Sequence, residues 1–355
     1  MVQSPSHNNP ADHLPEHLQM IDDPASGALG VIALHSTALG PAAGGCRFWH
    51  YASDQDALND AIRLARGMSY KNALAGLPFG GGKAVLQRPA GAFDRKALFT
   101  AFAEAVEALG GQYVTAEDVG TSVEDMEVVA SHTRHVAGLT RRAGRAGGDP
   151  SPWTALGIFK SMQAAASHAL GRDLDQLTVA VQGTGNVGAH LCSLLHEAGA
   201  RLIVADIDPA RARAVAEAHG AQVVSVDEIV SVGADVFSPC ALGAGLNAQT
   251  IPLLKAALVC GGANNQLATP EDGDALFQRG IAYAPDYVVN AGGIINVSAE
   301  YLGETVEQVQ ARIDTIPARV EQILQQAARD KRPSHAIADS MAREVIAAAQ
   351  QRVPA

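Results

Sequence analysis

The sequence predicts an α/β chain of two domains: a mixed α/β N-terminal domain, then a doubly wound parallel sheet with C-terminal helices packing back. Three observations carry this. From residue 178 onward, short β-branched apolar runs alternate with helical stretches, the pattern of parallel strands covered on both faces. Between about Gly27 and Thr140, strands and helices are mixed without that rhythm. A basic, glycine-rich link, RRAGRAGGDP (141–150), separates the two sections.

The elements follow in order. Residues 1–24 are polar and proline-rich and read as a tail. GVIAL (30–34) reads as a strand. Apolar residues at 58, 61, 62, 65 and 68 make DALNDAIRLARGMSY (56–70) a helix, and ALFTAFAEAVEAL (97–109) repeats the spacing. QYVTAED is a short strand running into a turn, and Thr121 with Glu124 forms a capping box for the next helix. Ser151 caps a helix with Pro152 at its first position. TVAVQG, RLIVAD, AQVVSV, DVFSPC, ALVCGGA and GIAYAPD are the strands of the second domain, and the tail is helical. The expected boundaries are 25–145, with about 332–355 returning to it, and 146–331.

Composition narrows the function. With 355 residues, 47% apolar and 18% charged, the chain has enough material for two cores and too little charge to be disordered. A net charge of −11 argues against a general nucleic-acid binder. The N-terminal stretch lacks the basic start and apolar core of a signal peptide, and no apolar run reaches membrane-spanning length. Cys46, Cys192, Cys240 and Cys260 are scattered, which suits reduced thiols in a cytoplasmic protein and neither a disulfide framework nor a metal site. No repeat of 20–50 residues is present.

NALAGLPFGGGKAVLQRP (72–89) sets three glycines before Lys83. A nucleotide phosphate loop fails here: the position six before the lysine is Leu77, the next residue is Ala84, and a strand follows where a helix is required. A glycine turn with a solvated lysine is the default alternative. Gly183-x-Gly185-x-x-Gly188 has better context, lying after a strand and before a helix. Gly183 permits the turn, Gly185 admits a pyrophosphate, Gly188 lets the helix pack closely, and the helix N-terminus offers N–H groups to the anion. Asp206 ends the second strand 18 residues after Gly188, where a carboxylate accepts from ribose hydroxyls and repels an added phosphate. This is a Rossmann-type site for NAD rather than NADP, formed by Gly183, Thr184, Gly185, Asn186, Val187, Gly188 and Asp206. Strand ends add Cys240, Ala241, Asn264 and Asn290, uncharged groups suited to ribose and carboxamide, each with a plain turn role as the alternative.

In the first domain Lys71, Lys83 and Asp118 all fall at element ends. Each alone reads as a surface charge. Together they offer an amine that burial and a second ammonium would keep neutral and so able to accept a proton near neutral pH, with glycines 80–82 letting a ligand approach.

LGPAAGGCR, GMSYKNA, GGGKAV, TAEDVGT, QGTGNVG, SPCALG, GANNQL and YAPDYVVNAGGIINV, in this order, resemble the amino-acid dehydrogenases acting on glutamate, leucine, phenylalanine and valine, from about Ser26 to Gly303. The leucine type is nearest and the phenylalanine type next. The resemblance implies that Lys71 binds the substrate carboxylate with help from Asn264, that Lys83 is the catalytic lysine, and that Asp118 exchanges protons with the substrate nitrogen and the reacting water. It implies Thr154 near the nicotinamide, and Ala43, Gly44, Met68, Ala116, Ile294 and Val297 around the substrate. The implied reaction is reversible deamination of an apolar L-amino acid to the 2-oxo acid and ammonia: hydride leaves Cα for the nicotinamide, and Lys83 activates the water that attacks the iminium carbon. A glutamate side chain finds no partner among those apolar residues. TAED and Ile294 follow the leucine type, whereas Ala43 and the GGGK spelling follow the phenylalanine type; aliphatic substrates are favoured. A homo-oligomer of unspecified size is also implied. A hydroxy-acid dehydrogenase lacks its His–carboxylate pair here, and a non-enzymatic NAD sensor has no need of Lys71, Lys83 and Asp118 together.

Overall fold

The computed structural model describes residues 14–140, 145–241 and 243–351, so the first half of the polar tail and the start of the basic link (141–144) lie outside the described residues. The described residues form two compact units, one within Met1–Gly148, Glu300–Glu304 and Ala342–Ala355, the other within Asp149–Ala299 and Thr305–Met341.

The first unit is built on a mixed sheet. β1 (His17–Asp23) lies in what composition assigns to the tail, and pairs antiparallel with β2 (Ala28–Ser36). The turn between them is closed by the Asp23 carboxylate, which accepts from the Ser26 hydroxyl at 2.6 Å and backbone at 3.2 Å. β2 is antiparallel to β5 (Gly80–Gln87), while β3 (Ala42–Ala43) and β4 (Cys46–Trp49) run parallel to β5, and β6 (Tyr113–Val114) parallel to β3. Alternation along β2 splits the core in two. Val31 and Ala33 pack with Val85 under α1 (Asp54–Leu74), through Ala57, Ala61 and Ala65. Ile32 and Leu34 face the other way, into a core with Phe48, Phe99, Phe102, Tyr113 and Met126 under α2 (Arg95–Ala108) and α3 (Val123–Ala130).

Two local expectations are corrected. The cap of α3 is Ser122 with Asp125, one residue later than the Thr121–Glu124 pair, because Thr121 is engaged with the Asp118 loop. α1 runs to Leu74, so Lys71 sits in its last turn, where a cation faces the negative end of the helix dipole.

The second unit carries six parallel strands in the order β12-β11-β10-β7-β8-β9: β7 (Thr178–Gln182), β8 (Arg201–Ala205), β9 (Gln222–Val223), β10 (Val236–Pro239), β11 (Leu258–Val259) and β12 (Ala282–Tyr283). Strand order reverses between β7 and β10, which makes their carboxyl ends the switch point of a doubly wound sheet. α4 (Ser151–Leu170) begins on Ser151 itself with Pro150 as its cap residue, a shift of one from the expected start. It packs against α5 (Asn186–Glu197) and α11 (Ile316–Asp330). α6 (Pro209–His219) follows β8, α7 (Pro270–Gln278) and α8 (Asp286–Val289) flank β12, and α9 (Gly292–Leu302) precedes α10 (Val306–Ile313). α12 (Ser334–Gln350) closes the described chain.

Candidate active site

In the first unit, the three glycines are the first three residues of β5 rather than a turn. A Cβ built on Gly80 would lie 1.8 Å from the Ser36 carbonyl oxygen, on Gly81 2.0 Å from the Ser69 amide nitrogen, and on Gly82 2.9 Å from the Tyr113 ring. The space beside them is therefore taken by β2, the end of α1 and β6, and the expected shelf for a ligand is a close-packed protein seam. That packing sets the last turns of α1 against the strand, with Met68 beside Gly44 and Ser69 against Gly81. Asn72, fully buried, ties the seam by donating to the Gly80 carbonyl at 2.6 Å and to Ala43 at 3.4 Å.

Lys83 is the next residue of β5 and is only 5% exposed, which ends the solvated-lysine alternative. Its Nζ stands 2.7 Å from Asp118 Oδ2. The same oxygen accepts from Arg47 Nε at 3.1 Å, and Arg47 Nη1 donates to Asp60 Oδ2 at 2.9 Å. Tyr51 donates to Asp60 at 2.7 Å, as does Arg63. Thr121 shapes the loop: its hydroxyl accepts from the Asp118 amide at 2.9 Å and donates to the Asp118 carbonyl at 2.8 Å. Burial works to raise the Asp118 carboxyl, but Lys83 and then Arg47 outweigh it and hold it below the ordinary carboxylate range. The buried Cys46 thiol beneath is pushed well above its ordinary value by burial, so it stays protonated and inert.

Four further expected residues gather here. Gly44 packs against Gly82 and Met68: a Cβ on it would lie 1.9 Å from the Gly82 carbonyl oxygen and 3.0 Å from Met68 Cγ. Ala43 and Ala116 are buried on the strand and loop beside it, joined through Gly44 N to Val114 O at 3.1 Å and Cys46 N to Ala116 O at 2.8 Å. No sequence signal singled out Arg47 and Thr121 as partners of Asp118, or Asp60 and Tyr51 as the groups that hold Arg47. Arg47 and Thr121 lie inside the quoted segments GGCR and TAEDVGT, but only pairing across β4 shows what they hold.

The second unit assembles the remaining residues. Gly183 leaves β7 with φ +97°, a conformation that side chains resist, and a Cβ there would lie 2.9 Å from the Ala241 amide nitrogen at the end of β10. A Cβ on Gly188 would lie 1.9 Å from the Gly183 carbonyl oxygen, so α5 packs directly on the loop. Gly185 is open, with Arg211 Nη1 at 3.9 Å as the nearest atom to its missing Cβ. That opening, over the N-termini of Asn186 and Val187 on α5, is a cradle that fits a pyrophosphate. Asp206 Oδ2 accepts from the Thr184 amide at 2.6 Å and hydroxyl at 3.2 Å, and Oδ1 from the Asp208 amide at 2.8 Å. Burial works to raise its pKa, yet these bonds and the Arg211 charge hold it low, leaving an acceptor-only carboxylate suited to a ribose diol.

At the ends of β10 and β11, Cys240 Sγ accepts from the Gly262 amide at 3.5 Å. Asn290 donates to Asn264 Oδ1 at 2.9 Å and to the Gly262 carbonyl at 3.2 Å, while its own Oδ1 is buried with no partner among the described residues. A polar ligand group fits that orphan acceptor. Thr154 Oγ1 donates to Pro150 O at 3.0 Å and would touch a Cβ on Gly293 at 2.7 Å, which sets it against the start of α9. Next along α9, Ile294 and Val297 are half-buried on one face, while Ile295 and Ser298 are buried on another. Among the described residues no group of three or more His, Cys, Asp or Glu could hold a metal ion, the four cysteines are free, and no helix is long and apolar enough to cross a membrane.

Comparison with known proteins agrees with both units. The family model described as Glu/Leu/Phe/Val dehydrogenase, dimerisation domain, matches residues 15–135. The Glutamate/Leucine/Phenylalanine/Valine dehydrogenase model matches 149–210 and 204–353. The chain is 47% identical over 332 residues to leucine dehydrogenase of Geobacillus stearothermophilus, covering 93% of this chain and 90% of that one. It is 45% identical over 350 residues to valine dehydrogenase of Streptomyces coelicolor, covering 98% and 95%. The structure of L-tryptophan dehydrogenase from Nostoc punctiforme superposes with a TM-score of 0.84 at 37% identity, over 95% of this chain and 97% of that one. With each unit matched by its own family model and relatives aligned along nearly the whole chain, the protein belongs to the Glu/Leu/Phe/Val dehydrogenase family, as an amino-acid dehydrogenase built around a nicotinamide dinucleotide site.

Proposed function

We propose that the protein oxidatively deaminates aliphatic L-amino acids, leucine and valine foremost, with NAD, releasing the 2-oxo acid and ammonia. The observation that carries this is the buried Lys83 held 2.7 Å from an ionised Asp118, beside a set of residues with no charge for a substrate side chain: Ala43, Gly44, Met68 and Ala116. Similarity to leucine and valine dehydrogenases supports the aliphatic class.

In this reading Lys71 receives the substrate carboxylate as a point charge. Asn264 assists; the bond from Asn290 to its Oδ1 turns its amide nitrogen away from Asn290, the end a carboxylate needs. Bound NAD supplies the hydride acceptor. Asp118 takes and returns protons at the substrate nitrogen, and Lys83, after releasing to solvent the proton it carries beside the ionised Asp118, takes the proton of the attacking water and passes it back as ammonia leaves. Ile294 and Val297 bound the substrate side chain. The low-lying Asp206 carboxylate supports NAD over NADP, because it accepts from a ribose 2′-hydroxyl and repels a 2′-phosphate. The dimerisation-domain match supports a homo-oligomer.

A second reading, preference for aromatic side chains, is favoured by two observations: Ala43 is small, and the L-tryptophan dehydrogenase of Nostoc punctiforme is a 37% identical neighbour. Steady-state kcat/KM for L-leucine, L-valine, L-phenylalanine and L-tryptophan with NAD and with NADP tests both. Leucine or valine leading is the expected result. Phenylalanine or tryptophan leading selects the second reading, and NAD binding without NADH formation from any of the four overturns both.

A further inference from the structure

Asp118 is held asymmetrically. Both cations that reach it, Lys83 from β5 at 2.7 Å and Arg47 from β4 at 3.1 Å, bind the same oxygen, Oδ2. Among the described residues no donor stands on Oδ1, and the side chain keeps 23% of its surface exposed. Arg47 is itself fixed at its other end. Its Nη1 donates to Asp60 on α1, which also takes the Tyr51 hydroxyl at 2.7 Å and Arg63 Nη2 at 2.7 Å. The guanidinium is thus a strut between a carboxylate anchored by three donors and a carboxylate that has work to do. A planar fork of fixed geometry suits that task, and a lysine could not span both partners at once.

We propose that Arg47 is a positioning residue for the reaction, clamping Asp118 Oδ2 beside Lys83 so that Oδ1 is the atom that meets the substrate nitrogen. The inference rests on the reading of Lys83 and Asp118 as the proton-transfer pair and adds a division of labour between the two carboxylate oxygens. Oδ2 is the Lys83 side, Oδ1 the substrate side, and a proton passes between nitrogen and lysine through one carboxylate without its rotation. The charged and titratable groups bearing on Asp118 are Lys83 from β5, Arg47 and the protonated Cys46 thiol from β4, the buried Tyr113 phenol from β6, and, through Arg47, Asp60 and Arg63 of α1 with Tyr51. Asp125 and Arg95 act one step further off, through Cys46. Of these, Arg47 is the one cation besides Lys83 in contact with the carboxylate among the described residues. Its removal leaves the burial of Asp118 opposed by Lys83 alone, and the carboxyl titrates at higher pH.

The test compares the full-length wild-type protein with Arg47→Gln, Arg47→Lys and Asp60→Asn. In each, kcat/KM for L-leucine deamination is followed from pH 5 to 10. The Asp118 carboxyl is titrated directly by its 13Cγ shift, assigned by loss of the signal in Asp118→Asn. Arg47→Gln is expected to lower kcat/KM by about 10–100-fold with a smaller effect on KM, and to move the Asp118 titration upward by about one pH unit or more. Arg47→Lys recovers part of the pH shift and little of the rate, because the charge returns without the strut. Asp60→Asn shifts both in the same direction by less, and answers the question if Arg47→Gln lowers thermal stability too far for assay. An Asp118 titration unchanged in Arg47→Gln, or a profile superimposable on the wild type, overturns the inference. A wild-type protein that forms no NADH overturns the proposed function instead, while the carboxyl titration still decides whether Arg47 governs Asp118.

Discussion

Two carboxylates, one in each unit, are held ionised by different means. Asp118 is gripped by two full charges, Lys83 and Arg47, against a burial that favours the neutral acid. Asp206 is held by the amides of Thr184 and Asp208 and the Thr184 hydroxyl, with Arg211 a lesser influence. The contrast follows from the work proposed for each. A carboxylate that trades protons needs a neighbour whose own protons move, and lysine provides one. A carboxylate that only accepts from a ribose needs fixed dipoles, and backbone amides at a strand end provide them without adding a charge that would attract a phosphate. The same contrast runs through the rest: the first unit's site is built from long ionisable side chains, the second's from glycines, amides and small residues.

The comparison breaks most visibly at Lys83. Lys83→Ala is expected to lower kcat by about 10²–10⁴-fold while leaving NAD affinity within about twofold, since the lysine lies in the other unit from the glycine loop. Stopped-flow kinetics with NAD titration by fluorescence checks both; an equal loss of NAD affinity ends the separation of roles. Gly188→Ala is the mirror experiment. Its new methyl meets the Gly183 carbonyl at 1.9 Å, so the loop must shift, costing about 1–3 kcal/mol of stability and roughly tenfold or more in NAD affinity, with Asp118 titrating as before. Calorimetry and NAD titration read this out. Asp206→Ser sharpens the contrast: removing the fixed negative charge raises kcat/KM with NADP relative to NAD by about tenfold or more, with the leucine KM unchanged. The smallest effect is on stability. Because the Asp118 pKa is depressed by folding, its pairing stabilises the protein above the ordinary carboxylate value of about 3.9 and is lost as pH falls through the lower folded value. The melting temperature of wild type should exceed that of Asp118→Asn by about 2–4 °C at pH 7, and the gap should close only below about pH 4.

Much of this was legible in the chain. The Gly183–Gly188 spacing with Asp206 is a local signal, because a strand, a turn and a helix adjacent in sequence are adjacent in space. The pairing of Lys83 with Asp118 is not local. It depends on β5 lying beside β4, whose Arg47 reaches the loop after β6, and no periodicity announces such a register. The three glycines before Lys83 were legible as important and misleading as to why. A bare backbone looks the same in sequence whether a ligand or another strand fills the space, and here the neighbours are Ser36, Ser69 and Tyr113. The Thr121 cap failed for a related reason: two hydroxyls stood side by side in Thr121-Ser122, and the loop claimed the first.

That glycine seam bears on any attempt to retune the enzyme. Positions 80, 81 and 82 have no room for even one carbon, so saturation libraries there should return glycine and little else. Met68, half-buried on α1 beside the seam, is where a change of side-chain volume can be tried within the first unit, with the strand left as the fixed floor next to it.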